Sequence, residues 1–138
     1  MTTLNRCRAA LRVFGDDLIP EELSRLFGHF YTQGWVKGYQ YSTSSGAVVV
    51  KKTGAWILDA EPTESADFDD QISRLLADID VSLDDWASLA SRFEMDIFCG
   101  WFMQESNEGI EVSPQTLRAL GERNIALSVD IYAPLDDD

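Results

Sequence analysis

EMDIFCGWFMQ at residues 94–104 and IALSVDIYA at residues 125–133 decide how this chain reads. In both, the odd positions are apolar: Met95, Ile97, Cys99, Trp101 and Met103, then Ile125, Leu127, Val129, Ile131 and Ala133. Alternation with a period of two lets a strand seal one face of a sheet and leave the other free. The even positions are mixed, with Asp96, Phe98 and Phe102 in the first run and Ser128, Asp130 and Tyr132 in the second. Between them Ser113-Pro114 marks a helix start, a hydroxyl at the N-cap and a proline where no backbone N–H is needed. Leu117 and Leu120 are expected on its inward side. The inward positions build the fold, and the mixed face is free for function.

Upstream, residues 7–14 alternate as a first strand, with Cys7, Ala9, Leu11 and Val13 inward and Arg8, Ala10, Arg12 and Phe14 outward. Gly15-Asp16-Asp17 breaks it, and Pro20 with Glu21 and Glu22 suits the first turn of a helix. Leu23, Leu26, Phe27 and Phe30 give that helix its apolar stripe, ending between Gly28 and Gly34. Tyr31 to Ser45 is the least regular stretch and is rich in rings. Ala47–Lys51 and Ala55–Asp59 read as a hairpin turning at Lys52-Thr53-Gly54. Glu61–Ala66 is a polar linker. Phe68, Ile72, Leu75, Leu76 and Ile79 form a helical stripe. Ser82 with Asp85 caps another helix, with Leu83, Trp86, Leu89, Ala90 and Phe93 on one side. Asp136–Asp138 is a short acidic tail.

The expected class is α+β, a single domain over residues 1–138. It has a mostly antiparallel sheet of four to five strands and helices on one face. Strand, acidic turn and proline-started helix occur at Cys7–Phe30 and again at Met95–Asn124. That order suggests two strand–helix–strand halves sharing one sheet, as in ferredoxin-like architecture.

Net charge is −13, and it is unevenly spread. Residues 1–58 carry net +3 and residues 59–138 net −16, with no carboxylate from Leu23 to Leu58. So acidic a surface repels phosphate backbones, which argues against nucleic acid and for a basic protein partner. No apolar run reaches the ~20 residues of a membrane helix, and Arg6, Arg8 and Arg12 interrupt any signal-peptide core. A cytoplasmic address is expected. Cys7 and Cys99 are too few and too far apart to suggest a disulfide framework or zinc site, and both read as small inward hydrophobes. His29 is the only histidine and sits as a boundary residue. No calcium loop, nucleophile elbow or phosphate loop is present, so no catalytic residue, metal or cofactor is assigned. An enzyme is the less favoured class.

Several runs are more specific: Phe14-Gly15-Asp16-Asp17-Leu18 with Pro20-Glu21-Glu22, Lys52-Thr53-Gly54-Ala55-Trp56, Asp96 to Phe102, Ser113-Pro114 and Val129-Asp130-Ile131-Tyr132. In that order they resemble the bacterial domain-of-unknown-function family 4279. The resemblance implies a bacterial, cytoplasmic, stand-alone domain and carries over no catalytic residues. Some small acidic bacterial proteins act as immunity proteins, which is an analogy.

Two surfaces stand out as candidates. The first is the mixed sheet face, where Arg8 and Arg12 can pair with Asp96 and Asp130 across strands. Phe14, Phe98, Phe102 and Tyr132 share its parity, more rings than an exposed face tolerates, so a partner chain, a second copy or the Tyr31–Ser45 segment should cover them. The second is an aromatic and lysine-rich hairpin, Trp35, Lys37, Lys52 and Trp56 with Lys51, Tyr39 and Tyr41 beside them, where cations and rings could grip an anionic or aromatic ligand. The leading expectation is a non-enzymatic interaction protein, an immunity-type inhibitor that meets a basic protein through its acidic surface. The alternative is a small-molecule-binding or enzymatic domain with its site at that hairpin.

Overall fold

A computed structural model describes residues 7–61 and 67–134. The linker beyond Glu61 and the tail Asp136–Asp138 lie outside the described residues. The chain forms β1 (Cys7–Gly15), α1 (Pro20–Phe27), β2 (Gln33–Trp35), β3 (Gln40–Ser42), β4 (Val48–Val50) and β5 (Gly54–Asp59). It continues as α2 (Phe68–Ala77), α3 (Leu83–Ala90), β6 (Glu94–Phe102), α4 (Pro114–Glu122) and β7 (Ala126–Tyr132). The architecture is α+β. A five-stranded sheet in the order β2-β5-β1-β6-β7 is antiparallel except at β6–β7, and β3 and β4 make a separate two-stranded hairpin.

The odd positions of β1 and β6 seal the interior as their alternation predicts. In the closing run only Ile125 is buried, and Ile131 and Ala133 are exposed. Leu11, Val13, Ile97 and Cys99 are completely buried, and they join Trp56, Phe68, Ile72, Leu75, Trp86 and Leu120 in one core. The helices supply the rest of that core, so they pack on one side of the sheet. Phe27 of α1 sets its ring edge-on to Trp56 at 4.9 Å and tilted against Trp86 at 5.3 Å. Buried rings of this size contribute most of the apolar area of a small core. Gln71 of α2 ties helix to sheet, its Oε1 accepting from the Ala9 N–H at 2.7 Å.

Each later helix starts where a side-chain oxygen takes up an orphan N–H. Asp67 accepts from the Asp70 N–H, Ser82 from Asp85 and Ser113 from Thr116. The helix α1 instead opens on Pro20 and stops at Gly28, whose φ of 68° is the left-handed turn glycine adopts without penalty. That stop corrects the apolar stripe. Phe30 falls beyond the helix and is 87% exposed, and Leu26 is exposed on its outer side. In α4 the inward pair is Thr116 and Leu120, leaving Leu117 exposed, and Leu83 at the start of α3 is exposed as well.

The expected hairpin between residues 47–51 and 55–59 does not form. Strand β4 pairs with β3, and β5 pairs with β2 and β1. Gly54 opens β5 rather than closing a turn, because a Cβ there would lie 2.8 Å from the carbonyl oxygens of Gly15 and Leu18. The turn sits instead at Thr43–Ala47, where Gly46 has a φ of 90° and the Thr43 N–H donates to the Ala47 carbonyl. The supposedly irregular stretch is half of a long β-arm. Partners Gln33–Ile57, Trp35–Ala55, Gln40–Val50 and Ser42–Val48 all have residue numbers that sum to 90, so one register runs through both sheets.

The strand–helix–strand order does occur twice, with the halves joined at β1–β6, but they differ in sense. In the first, β5 runs antiparallel to β1; in the second, β7 runs parallel to β6 after the α4 crossover. Cys99 is buried inward as expected, yet it is disulfide-bonded rather than a free thiol. Separation along the chain says little about distance across paired strands. The Cys7 side chain lies outside those described.

Candidate interaction surface

The even positions of β1, β6 and β7 and the odd ones of β2 and β5 form the face of the sheet opposite the helices. The registers set its rows. Trp35, Ala55, Phe14 and Glu94 make the first, and Gln33, Ile57, Arg12, Asp96 and Ala126 the second. Asp59, Ala10, Phe98 and Ser128 follow, then Arg8, Gly100 and Asp130, and last Phe102 and Tyr132.

Arg12 is the centre of this face. Its Nε and Nη2 donate to the two carboxylate oxygens of Asp96 at 2.9 and 2.7 Å, the bidentate geometry that suits guanidinium and carboxylate. Its guanidinium carbon also lies 4.3 Å from the Phe98 ring centroid and 5.1 Å from that of Phe14, so two rings from adjacent rows flank the cation. The hydrogen bond to Asp96 chiefly raises the Arg12 pKa above its ordinary value, against the opposing effect of burial, and the charges of Asp96 and Asp130 add to it. Arg12 is therefore a fixed cation. Side-chain exposures of 27% for Arg12 and 16% for Asp96 make the pair semi-buried under its own rings.

At the far end Phe102 and Tyr132 stack at 4.6 Å with planes 12° apart, and they remain 52% and 45% exposed. Gly100 leaves room beside them, the nearest ring atoms of Phe98 and Tyr132 both standing 3.9 Å from where its Cβ would be. Arg8 and Asp130 are exposed in the same row. Six expected site residues, Arg8, Arg12, Phe98, Phe102, Asp130 and Tyr132, are thus brought together on one face.

The hairpin residues are not brought together. Trp56 is fully buried on the helical face, its Nε1 donating to Ser24 Oγ at 2.9 Å. Lys37 is exposed and bonded to Asp16 at 3.2 Å, and Lys52 is exposed in the bend before β5. Only Trp35 reaches the open face, two strand spacings or ~10 Å from Phe14. Its Nε1 donates to the Thr53 carbonyl at 3.0 Å, and Lys51 Nζ sits 3.9 Å from its ring centroid and 5.4 Å from that of Tyr41. Of the three lysines that sit beside these rings in sequence, Lys51 is the one that meets them in the fold. Its odd position, matched to Trp35 and Tyr41 through the shared register of the arm, is the signal that finds it.

Two cations flanked by rings therefore share the open face, Arg12 on the main sheet and Lys51 on the arm. A second feature had no sequence signal: a cavity of about 600 Å³ between α1 and the returning chain. Arg25, His29, Phe30 and Tyr31 line it, and Tyr31 Oη donates to Glu21 at 3.2 Å across one end. Among the described residues no group of three or more His, Cys, Asp or Glu side chains could hold a metal ion. None of the described helices is long and apolar enough to cross a membrane.

A family model described as Domain of unknown function (DUF4279) matches residues 5–134. The chain belongs to that family. The match spans every described element and both ring-flanked cations of the open face, so the surface sits inside the family's domain rather than on an appendage. No curated protein and no solved structure matches the chain.

Proposed function

We propose that this family member is a non-enzymatic interaction domain of the immunity-inhibitor type, which binds a basic protein and docks it on the open sheet face. One observation carries the reading: the Phe102–Tyr132 stack stays about half exposed on a face whose helices all pack on the other side. Rings grouped with an arginine are what the centre of a protein interface is enriched in. The acids of α2 and α3 supply attraction at a distance. Asp67, Asp78, Asp80 and Asp84 are exposed, and Arg74 bonds to Asp70 at 3.0 Å. Charge of this kind speeds encounter with a basic partner more than it tightens the final contact.

The test is capture from a bacterial lysate on the immobilised chain at about 50 mM and about 500 mM salt. The reading expects a basic protein retained at low salt and weakened at high salt. An acidic partner, or capture indifferent to salt, would contradict it. The proposed address is the bacterial cytoplasm. Thiol trapping on extraction checks it, because a Cys99 that stays oxidised in the cell moves the protein to an oxidising compartment.

The alternative, a small-molecule site, keeps one observation in its favour, the cavity beside α1. A ligand there would contact Ser24 and so perturb the indole of Trp56. Quenching of tryptophan emission by a panel of aromatic carboxylates, abolished by Arg25→Ala, would promote that reading over the first.

A further inference from the structure

We propose that two copies of this chain pair along β7, antiparallel about a twofold axis at Val129, and join their sheets into one. The inference is independent of the partner reading above.

Strand β7 is the last in the five-stranded order, and among the described residues nothing hydrogen-bonds to its far edge. Seven residues of open edge present ~23 Å of unpaired N–H and C=O groups, a template for another strand. The opposite edge strand, β2, offers only three residues. Proteins usually guard such an edge with lysine, proline or a bulge. Here the one charge along β7 is Asp130, and exposed apolar side chains flank the edge on both sides of the sheet. Ile131 is 59% exposed and Leu117 of α4 53% exposed on the helical side, with the Phe102–Tyr132 stack on the open side.

Charge and sequence both say what covers it. Residues 59–112 carry net −13, whereas residues 113–132, which span α4 and β7, carry Arg118 and Arg123 against Glu122 and Asp130, net zero. Two copies of a strongly acidic chain repel through most of the second half, and this segment, neutral up to the Asp136–Asp138 tail, is where they approach with the least of that cost. The strand is also complementary to itself. A twofold at Val129 sets Leu127 against Ile131 on the helical side and the Ser128 hydroxyl against the Asp130 carboxylate on the open side, so no like charges oppose.

Sedimentation of the purified chain from about 1 µM to about 200 µM should show the mass rise from 15.5 kDa to twice that value, with tighter association at high salt as repulsion is screened. Salt moves basic-partner capture the other way, so the two proposals fail separately. Ile131→Lys, on an exposed side chain, should weaken the dimer about tenfold or more and leave the circular dichroism unchanged. Hydrogen exchange on the unaltered chain covers the case in which that variant misfolds. Amides of residues 126–132 should slow as concentration rises, and those of β2 should not. A monomer throughout the range overturns the proposal. So does a dimer whose β7 exchange is independent of concentration, or protection of β7 that arises only when another protein is added.

Discussion

The two faces of the sheet belong to the same strands and follow different rules. On the helical face Leu11, Val13, Trp56, Ile97 and Cys99 are sealed, and the side chains meet mainly by packing. On the open face Arg12, Phe14, Phe98, Phe102 and Tyr132 are as large, yet each ring is paired with a cation or another ring and keeps part of its surface wet. The helical face needs volume to be filled. The open face solves a different problem, holding apolar rings in water by giving each a partner of complementary electrostatics. A surface built that way is stable alone and still gains by being covered.

Substitutions separate the two regimes. Truncating the sealed face should do most harm: Trp56→Ala opens a cavity against Phe27 and leaves Ser24 without its indole donor, at a cost of about 3–5 kcal/mol in urea unfolding. Next comes the centre of the open face. Asp96→Ala strands the Arg12 guanidinium between its rings and should cost about 1.5–3 kcal/mol, the range of a hydrogen bond to a charged group. Its pH dependence carries a sign. A raised Arg12 pKa gives stability that is complete below the unfolded value and lost only as pH climbs through the folded one. The gap in stability between wild type and Arg12→Met should therefore stay flat from about pH 6 to about pH 10. On the arm, Lys51→Ala should cost only about 0.5–1 kcal/mol, the worth of an exposed cation–ring contact, and should change the emission of Trp35. A loss as large as that of Trp56→Ala would mean the arm belongs to the core and the division between faces is misdrawn.

Much of this division was legible in the chain. Alternation at residues 7–14, 95–103 and 125–133 assigned nearly every side chain of β1, β6 and β7 to its face, because one residue of slip would turn the whole strand over. The caps at Ser82 and Ser113 were legible for the same local reason. The arm was not. Strands of three residues, such as Gln33–Trp35 and Gln40–Ser42, are too short for a period to show, and the partners of Gln33–Trp35 lie twenty or more residues away. Trp56 was misplaced for that reason. Proximity in sequence to Lys51 and Lys52 suggested a shared surface, but β5 is a central strand between β2 and β1 and turns Trp56 inward. Phe30 and Leu117 show the other limit. Helical spacing extends a stripe until something ends it, and Gly28 in one case and the phase set by Thr116 and Leu120 in the other decided where the inward side lay.

The claim that the open face works on a partner rather than supporting the fold is tested by Phe102→Ser combined with Tyr132→Ser. Two side chains about half exposed add little to stability, so the double variant should unfold within about 1 kcal/mol of wild type. Compared side by side with wild type on the same lysate, it should lose the salt-sensitive basic partner. Undiminished capture by this variant, at unchanged stability, would contradict the account and move the working surface elsewhere on the molecule.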